Sequence, residues 1–285
     1  MNLGNLLASK LHISSPGHDV TLGKTITEFR GSKQTYDALL VIDVEATCQA
    51  GTDFAWPNEI IEWPVCLMRW MDKDGPSGVA KDLRIVDEFR AFVKPTWRPV
   101  LSKFCTELTG IEQADVDSAP TFPEVLASFR GFLVKNGLLD AETDERLCRF
   151  CFSSDGPWDL RDFLVKQCFI SKIDIPPWIP IDFLDTRIVV QGHVRKDFPD
   201  GSRVHLNKRA RSPSIVAQLR GLGLEPFAGR QHCGIDDARN VARILAELGR
   251  RGAKLQPNSS IDHKRRWPWM GKKGLILEEY IAGAP

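Results

Sequence analysis

Residues 41–48 read VIDVEATC. Leu39 to Ile42, together with Val44, make an aliphatic run suited to a buried strand, and Asp43 and Glu45 interrupt it two positions apart. Residues i and i+2 of a strand point to the same side, so the two carboxylates share one face. Two bare carboxylates so placed repel each other and resist burial. A divalent cation removes the conflict, because Mg²⁺ favours carboxylate oxygens and keeps waters for a phosphate ligand. The plain alternative is a strand end emerging into solvent, where paired acids cost little, and a D-x-E by itself does not separate the two.

Around that stretch, the 285 residues are 42% hydrophobic, enough to bury a core as one large domain or one domain with appendages. Residues 59–71 and 85–95 read as further strands, with Pro64 pushing part of the former toward an edge or a bulge. Helical spacing covers 102–110, 121–137, 159–170, 212–223 (with Pro213 in its first turn) and 236–249, and 146–153 reads as another strand. The 236–249 helix has the clearest stripe, formed by Ala238, Val241, Ala242, Leu245 and Leu248. Strands first and interleaved helices later predict an α/β fold, a mixed sheet whose opening strands form a meander.

The net charge of +1 implies no partner, but its distribution is uneven. Arg250–Lys273 holds eight Lys/Arg against one acid, and Gln191–Ser212 holds six against two. Such segments touch polyanions or are simply solvated. The expected organisation is a polar arm over 1–34, a domain over 35–250 and a basic tail over 251–285. No stretch approaches the length of a membrane span, and MNLGNLLASK lacks the basic start and apolar run of a secretory leader. Seven cysteines fit free thiols in a reducing compartment, with Cys148 and Cys151 structural rather than a zinc or redox pair.

Further chemistry-bearing residues fall at element junctions. SSDGPWDLRDFL places Asp159 between a strand and a helix, and QHCGIDDARNVARIL places His232 in a loop and Asp237 in a helical first turn. Each has an ordinary explanation: Asp237 suits a helix N-terminus, and a loop histidine needs no task. Their order along the chain, with Asp43 and Glu45, resembles the DEDDh class of 3′–5′ exonucleases, and more narrowly the histone-mRNA and small-RNA 3′-exonuclease (enhanced-RNAi) family. The resemblance rests on DVEATC, DGPWD, HCGIDD and the LSKFCTELTGI…VDSAPTF stretch between the first two, and runs from about residue 37 to 249.

The resemblance implies a ribonuclease H-like mixed β-sheet flanked by helices. It assigns Asp43, Glu45, Asp159 and Asp237 as ligands of two Mg²⁺ ions, with Mn²⁺ as a substitute, and His232 as the general base. Asp236 becomes a helix-capping acid, and Asp155 stays a turn residue. Phe104 and Leu108 match positions that clamp the terminal base, and Ala46, Thr47 and Thr109 would line the same nucleotide. The implied activity is 3′–5′ exoribonuclease action on single-stranded 3′ ends or overhangs, releasing 5′ mononucleotides in small-RNA, histone-mRNA or rRNA 3′-end processing or decay. Arg187, Lys208, Arg209 and Arg211 are candidates for gripping the backbone, and the tail, with Trp267 and Trp269, for stacking on or tracking a strand. An RNA-silencing effector is a candidate protein partner, and the compartment is cytoplasmic, nuclear or both.

Two features depart from the family. Only about 36 residues precede the first strand, too few for the N-terminal nucleic-acid module of some relatives, and the link around 191–214 is long. Competing readings are a DNA or short-oligonucleotide 3′–5′ exonuclease and a non-catalytic RNA-binding adaptor. All five chemical positions being filled with suitable residue types argues against the adaptor. P-loop, H-E-x-x-H, G-x-S-x-G and dinucleotide motifs are absent.

Overall fold

The computed structural model describes residues 31–76, 78–197 and 213–281. The chain begins with β1 (Ser32–Lys33), β2 (Ala38–Ile42), β3 (Glu45–Ala46), β4 (Ile60–Trp70), β5 (Val79–Ala80) and β6 (Leu83–Phe92). Helices α1 (Lys103–Thr109), α2 (Gln113–Asp117) and α3 (Phe122–Lys135) follow, then β7 (Phe150–Ser154). A π-helical turn (Asp159–Phe163) runs into α4 (Leu164–Ile170). Next come β8 (Asp182–Asp185), α5 (Thr186–Asp197), α6 (Ile215–Gly221), α7 (Gly234–Arg250) and β9 (Ser259–Ser260).

β2 and β3 are two halves of one path, broken at Asp43–Val44, and both pair antiparallel with β4. β6 pairs antiparallel with the other edge of β4, completing the expected meander. β7 lies parallel to β2, β8 parallel to β7, and β9 antiparallel to β8. The sheet is therefore mixed. β1 and β5 form a separate two-stranded pair.

Every residue of β2 is buried because the strand is covered on both faces. Ala38, Leu40 and Ile42 belong to one core layer with Phe129 and Leu133 of α3 and Leu164 of α4. Leu39 and Val41 belong to the other, with Val241 and Leu245 of α7. Burying each such side chain contributes about 1.5–3 kcal/mol, which is why the run is aliphatic at every position. The expected stripe of α7 is buried along its length. A Thr121/Glu124 capping box starts α3, two residues after Pro120, and the chain turns at Gly137 with φ of 65°.

Several expectations are corrected. Pro64 lies within a strand paired on both sides, not at an edge. It keeps its place opposite Arg90 of β6, and its other side faces the gap where β2 has ended and β3 has not begun, so no donor is needed there. The irregularity in the β4–β6 ladder falls between Leu67 and Met68 instead. Pro213 precedes Ser214, the true N-cap of α6, whose Oγ accepts from Ala217 N.

The C-terminal segment expected as an RNA-tracking tail packs into the core. Trp267 and Trp269 are buried and stacked at 6.3 Å, and the Trp269 indole donates to Ala55 O at 2.6 Å. Ile261 and Ile281 join the same core layer, and Leu255 the other. Removing residues 254–285 would strip this core, so truncation cannot isolate RNA contact. Gln34 is likewise tied in, donating to Ala253 O and accepting from Leu255 N. Lys208, Arg209 and Arg211 lie outside the described residues, as do residues 1–30 of the expected arm. No described helix is long and apolar enough to cross a membrane.

Candidate active site

The break between β2 and β3 builds the site. Ala38, Leu40, Ile42 and Val44 sit in one core layer, and Leu39 and Val41 in the other. By the same alternation Asp43 and Glu45 face α7, whose first turn carries Asp237. Ligand oxygens of Asp43, Glu45 and Asp237 all come within 4.8 Å of one another. Asp159 arrives from the opposite layer. With the ladder interrupted, Val44 N–H has no strand partner and donates to Asp159 Oδ1 at 2.9 Å. The start of α7 rides against the break: a Cβ on Gly234 would meet Asp43 O at 2.5 Å and Pro64 Cγ at 2.8 Å, so only glycine fits.

Burial is the main cause that shifts these four acids upward. Asp43 and Glu45 are both raised well above the ordinary carboxyl range by burial and then by neighbouring carboxylates. Burial lifts Asp159 to about 7, opposed by the Val44 amide, and lifts Asp237 to about 7, opposed by the amides of His232 and Cys233. A donor set made only of carboxylate oxygens suits a hard divalent cation, which would supply the missing positive charge.

A pH dependence follows for the metal-free protein. Asp159 and Asp237 bind protons in the fold that the unfolded chain has released above 3.8. Their contribution to stability is complete below that value and is lost as pH rises through about 7. Lys166, depressed to about 7 by burial, adds the opposite trend only above that pH. In EDTA, Tm should fall by on the order of 5–10 °C between pH 5 and 7, and saturating divalent cation should reduce the drop. Melting curves at the two pH values check this, and a Tm that rises over that interval in EDTA refutes it.

The four acids open onto a cleft of about 460 Å³. Ala46, Phe104, Leu108, Thr109, Arg187 and His232 also line it. Phe104 is 42% exposed, an aromatic face held toward the cleft by α1. Thr109 is buried, and its hydroxyl donates to Cys105 O while accepting from Ile111 N. Thr47 is placed elsewhere: its buried hydroxyl accepts from Glu59 N at 2.9 Å and does not line the cleft. Asp236 does not cap α7, whose N-cap is Cys233; its carboxylate accepts from Arg230 N and Arg239 Nη1.

Other residues of the site have partners that no local sequence pattern indicates. Asp155, expected as a turn residue, is buried and accepts from Arg187 Nη2 and Gln218 Nε2, both at 2.6 Å. It thereby fixes Arg187, which also lies 4.8 Å over the Trp158 ring. Glu62 is fully buried, paired with Arg90 at 2.6 Å, and accepts from Gly234 N, anchoring the first turn of α7. Arg230 donates to Glu107 O and Leu108 O at the end of α1 and to His232 O, tying the Phe104 helix to the His232 loop. Gly110, with φ of 74°, lets the guanidinium come this close, since a Cβ there would meet Arg230 Nη1 at 2.7 Å. Phe54, also in the cleft, stacks on Trp158 at 5.7 Å.

Comparison with known proteins agrees with this geometry. Residues 40–245 match the exonuclease family, RNase_T. The chain is 35% identical to the 3′-5′ exonuclease eri1 of Schizosaccharomyces pombe, over 84% of this chain and 74% of that one. It is 32% identical to the 3′-5′ exoribonuclease 1 of Homo sapiens, over 79% of this chain and 56% of that one, so it spans little more than half the human relative. The nuclease domain of 3′hExo, a DEDDh member solved with rAMP, superposes with a TM-score of 0.64 at 32% identity, covering 79% of this chain and 98% of that one. A 3′-exonuclease solved with the histone mRNA stem-loop superposes with a TM-score of 0.65 at 30% identity, covering 81% and 69%. The ribonuclease H-like fold, the break between β2 and β3 and the acids gathered at it thus have one explanation: the chain belongs to the exonuclease family, and within it to the DEDDh 3′–5′ exoribonucleases of ERI1 type.

Proposed function

We propose that this protein removes 5′ mononucleotides one at a time from single-stranded RNA 3′ ends or overhangs, using Mg²⁺ held by Asp43, Glu45, Asp159 and Asp237. The observation that carries the proposal is the convergence of Asp43, Glu45 and Asp237 within 4.8 Å at a strand break on the cleft floor. When bound, the cations neutralise the phosphate and make water a better nucleophile. His232, exposed at the mouth, takes a proton from the attacking water as its oxygen bonds to phosphorus and the 3′ oxygen departs. Phe104 stacks on the terminal base, which admits a strand end in preference to an internal segment. Arg187, braced by Asp155, offers a fixed cation to the backbone.

The test uses 5′-labelled single-stranded RNA and DNA of one sequence, with Mg²⁺ or EDTA. The expected result is a Mg²⁺-dependent ladder shortening from the 3′ end, faster on RNA. Faster shortening of DNA would favour the DNA-exonuclease reading. Tight RNA binding without cleavage would favour the adaptor.

A further inference from the structure

A second cavity of about 1100 Å³ lies at the far end of the helical run that starts with Asp159 in the cleft. Cys168 and Phe169 near the end of α4 line it, facing the 261–274 segment across the opening. Its wall is apolar, with Ile173, Ile175 and Ile261, and its other lining is basic: Lys172, His263, Arg266, Lys272 and Lys273 against the single acid Asp174.

The basic surplus of the C-terminal segment divides in a telling way. Arg250 and Arg251 pair with Glu247, and Arg265 pairs with Asp162. Lys254, Lys264, Arg266, Lys272 and Lys273 form no ion pair among the described residues; the last three line this cavity, joined by Lys172 just after α4, which is also without an ion pair. Lys172 and Lys273 also occupy left-handed backbone positions, where glycine or asparagine is easier to hold. Unpaired like charges gathered around one concavity repel each other, and a ligand carrying several negative charges relieves that repulsion.

The substrate is itself such a ligand. From Asp159 to Ile170 the helical run is roughly 18 Å long at about 1.5 Å per residue. That distance corresponds to about five nucleotides of a helically stacked strand, at roughly 3.4 Å of axial rise per phosphate. We infer that the cavity beside Lys172, Arg266, Lys272 and Lys273 is a second RNA site, holding the phosphodiester backbone of the substrate strand upstream of its 3′ end. The apolar wall accepts base faces while the cations meet phosphates. The assignment rests on the exoribonuclease reading, and it makes affinity depend on substrate length.

The full chain and its Lys172→Gln/Lys272→Gln/Lys273→Gln variant are compared on an unstructured tetranucleotide and a 14-nucleotide RNA. A Glu version of the same variant exaggerates the effect, and a Lys→Arg version should restore it. Binding of the 14-mer is measured by anisotropy in EDTA, and cleavage of both RNAs in Mg²⁺. The expected result is at least tenfold weaker 14-mer binding in the Gln variant, a salt slope reduced by about 2, and unchanged tetranucleotide cleavage. Equal 14-mer binding by wild type and variant overturns the inference, as does an equal loss on both RNAs. A wild type that binds the 14-mer through these lysines but cleaves neither RNA would overturn the exoribonuclease reading and leave the site standing.

Discussion

Asp43→Asn should lower the rate of 3′-end cleavage by at least about 10³, equivalent to roughly 4 kcal/mol of transition-state stabilisation, while making the metal-free protein more stable. The two effects have one cause. Asp43 lies among Glu45 and Asp237, and its carboxyl is raised by burial and by the charges of Asp159, Asp237 and Glu45. Without a cation that arrangement is a repulsive cluster, and an uncharged isostere relieves it. With a cation the same carboxylate attracts, so the wild type gains more from Mg²⁺ than the variant does. In EDTA at pH 8 the variant should melt several degrees above wild type, about 2–4 °C for each kcal/mol recovered. On adding Mg²⁺ the order should narrow or reverse. Single-turnover cleavage and melts with and without Mg²⁺ test both halves. Activity within tenfold of wild type, or the same Mg²⁺-induced shift in both proteins, would refute the assignment of Asp43 as a cation ligand.

Local pattern reveals some parts of this molecule and not others. The aliphatic run of β2 is legible because burial on both faces requires it, and the α7 stripe because one helix face meets the sheet. Asp43 and Glu45 stand out because paired carboxylates in a buried run are costly, whereas Asp159, Asp237 and His232 become legible only through the order of motifs that resembles the family. What supports them is not legible, because it comes from far along the chain. Glu62 reaches Gly234 across 172 positions, Arg230 reaches Leu108 across 122, and Asp155 meets Gln218 across 63. No spacing rule connects such pairs. β8 and α5 have no clear pattern of their own in the sequence, because the proline-rich 175–182 stretch and the charged link after it obscure their short apolar spacing. The C-terminal segment misleads for a different reason. Eight basic residues dominate its composition, yet Trp267, Trp269 and Ile261 among them settle its path by burying their side chains. Charge predicted a surface, and the apolar minority made part of it a core.

His232→Asn should lower kcat by about 10²–10⁴ with KM changed no more than about threefold, the range expected when a proton acceptor is lost but the substrate still binds. The choice of residue matters because His232 stands at φ of 59°, a left-handed conformation that asparagine and glycine tolerate better than other side chains. The backbone amide of His232 also supports the Asp237 carboxylate. Asparagine preserves that amide and its geometry, so the substitution removes the imidazole and leaves the acids in place. The Mg²⁺-induced rise in Tm should therefore match wild type, which separates His232→Asn from Asp43→Asn, where that rise is smaller. A second variant, His232→Gly, fits the backbone equally well and opens space at the mouth of the cleft. Added imidazole should recover part of its rate, and it should do nothing for Asp43→Asn. A purely structural histidine would give no such rescue, because a free imidazole cannot repair a displaced loop. Loss of the Mg²⁺-induced rise in Tm in His232→Asn, or cleavage within tenfold of wild type, would assign His232 to holding the loop rather than to moving the proton.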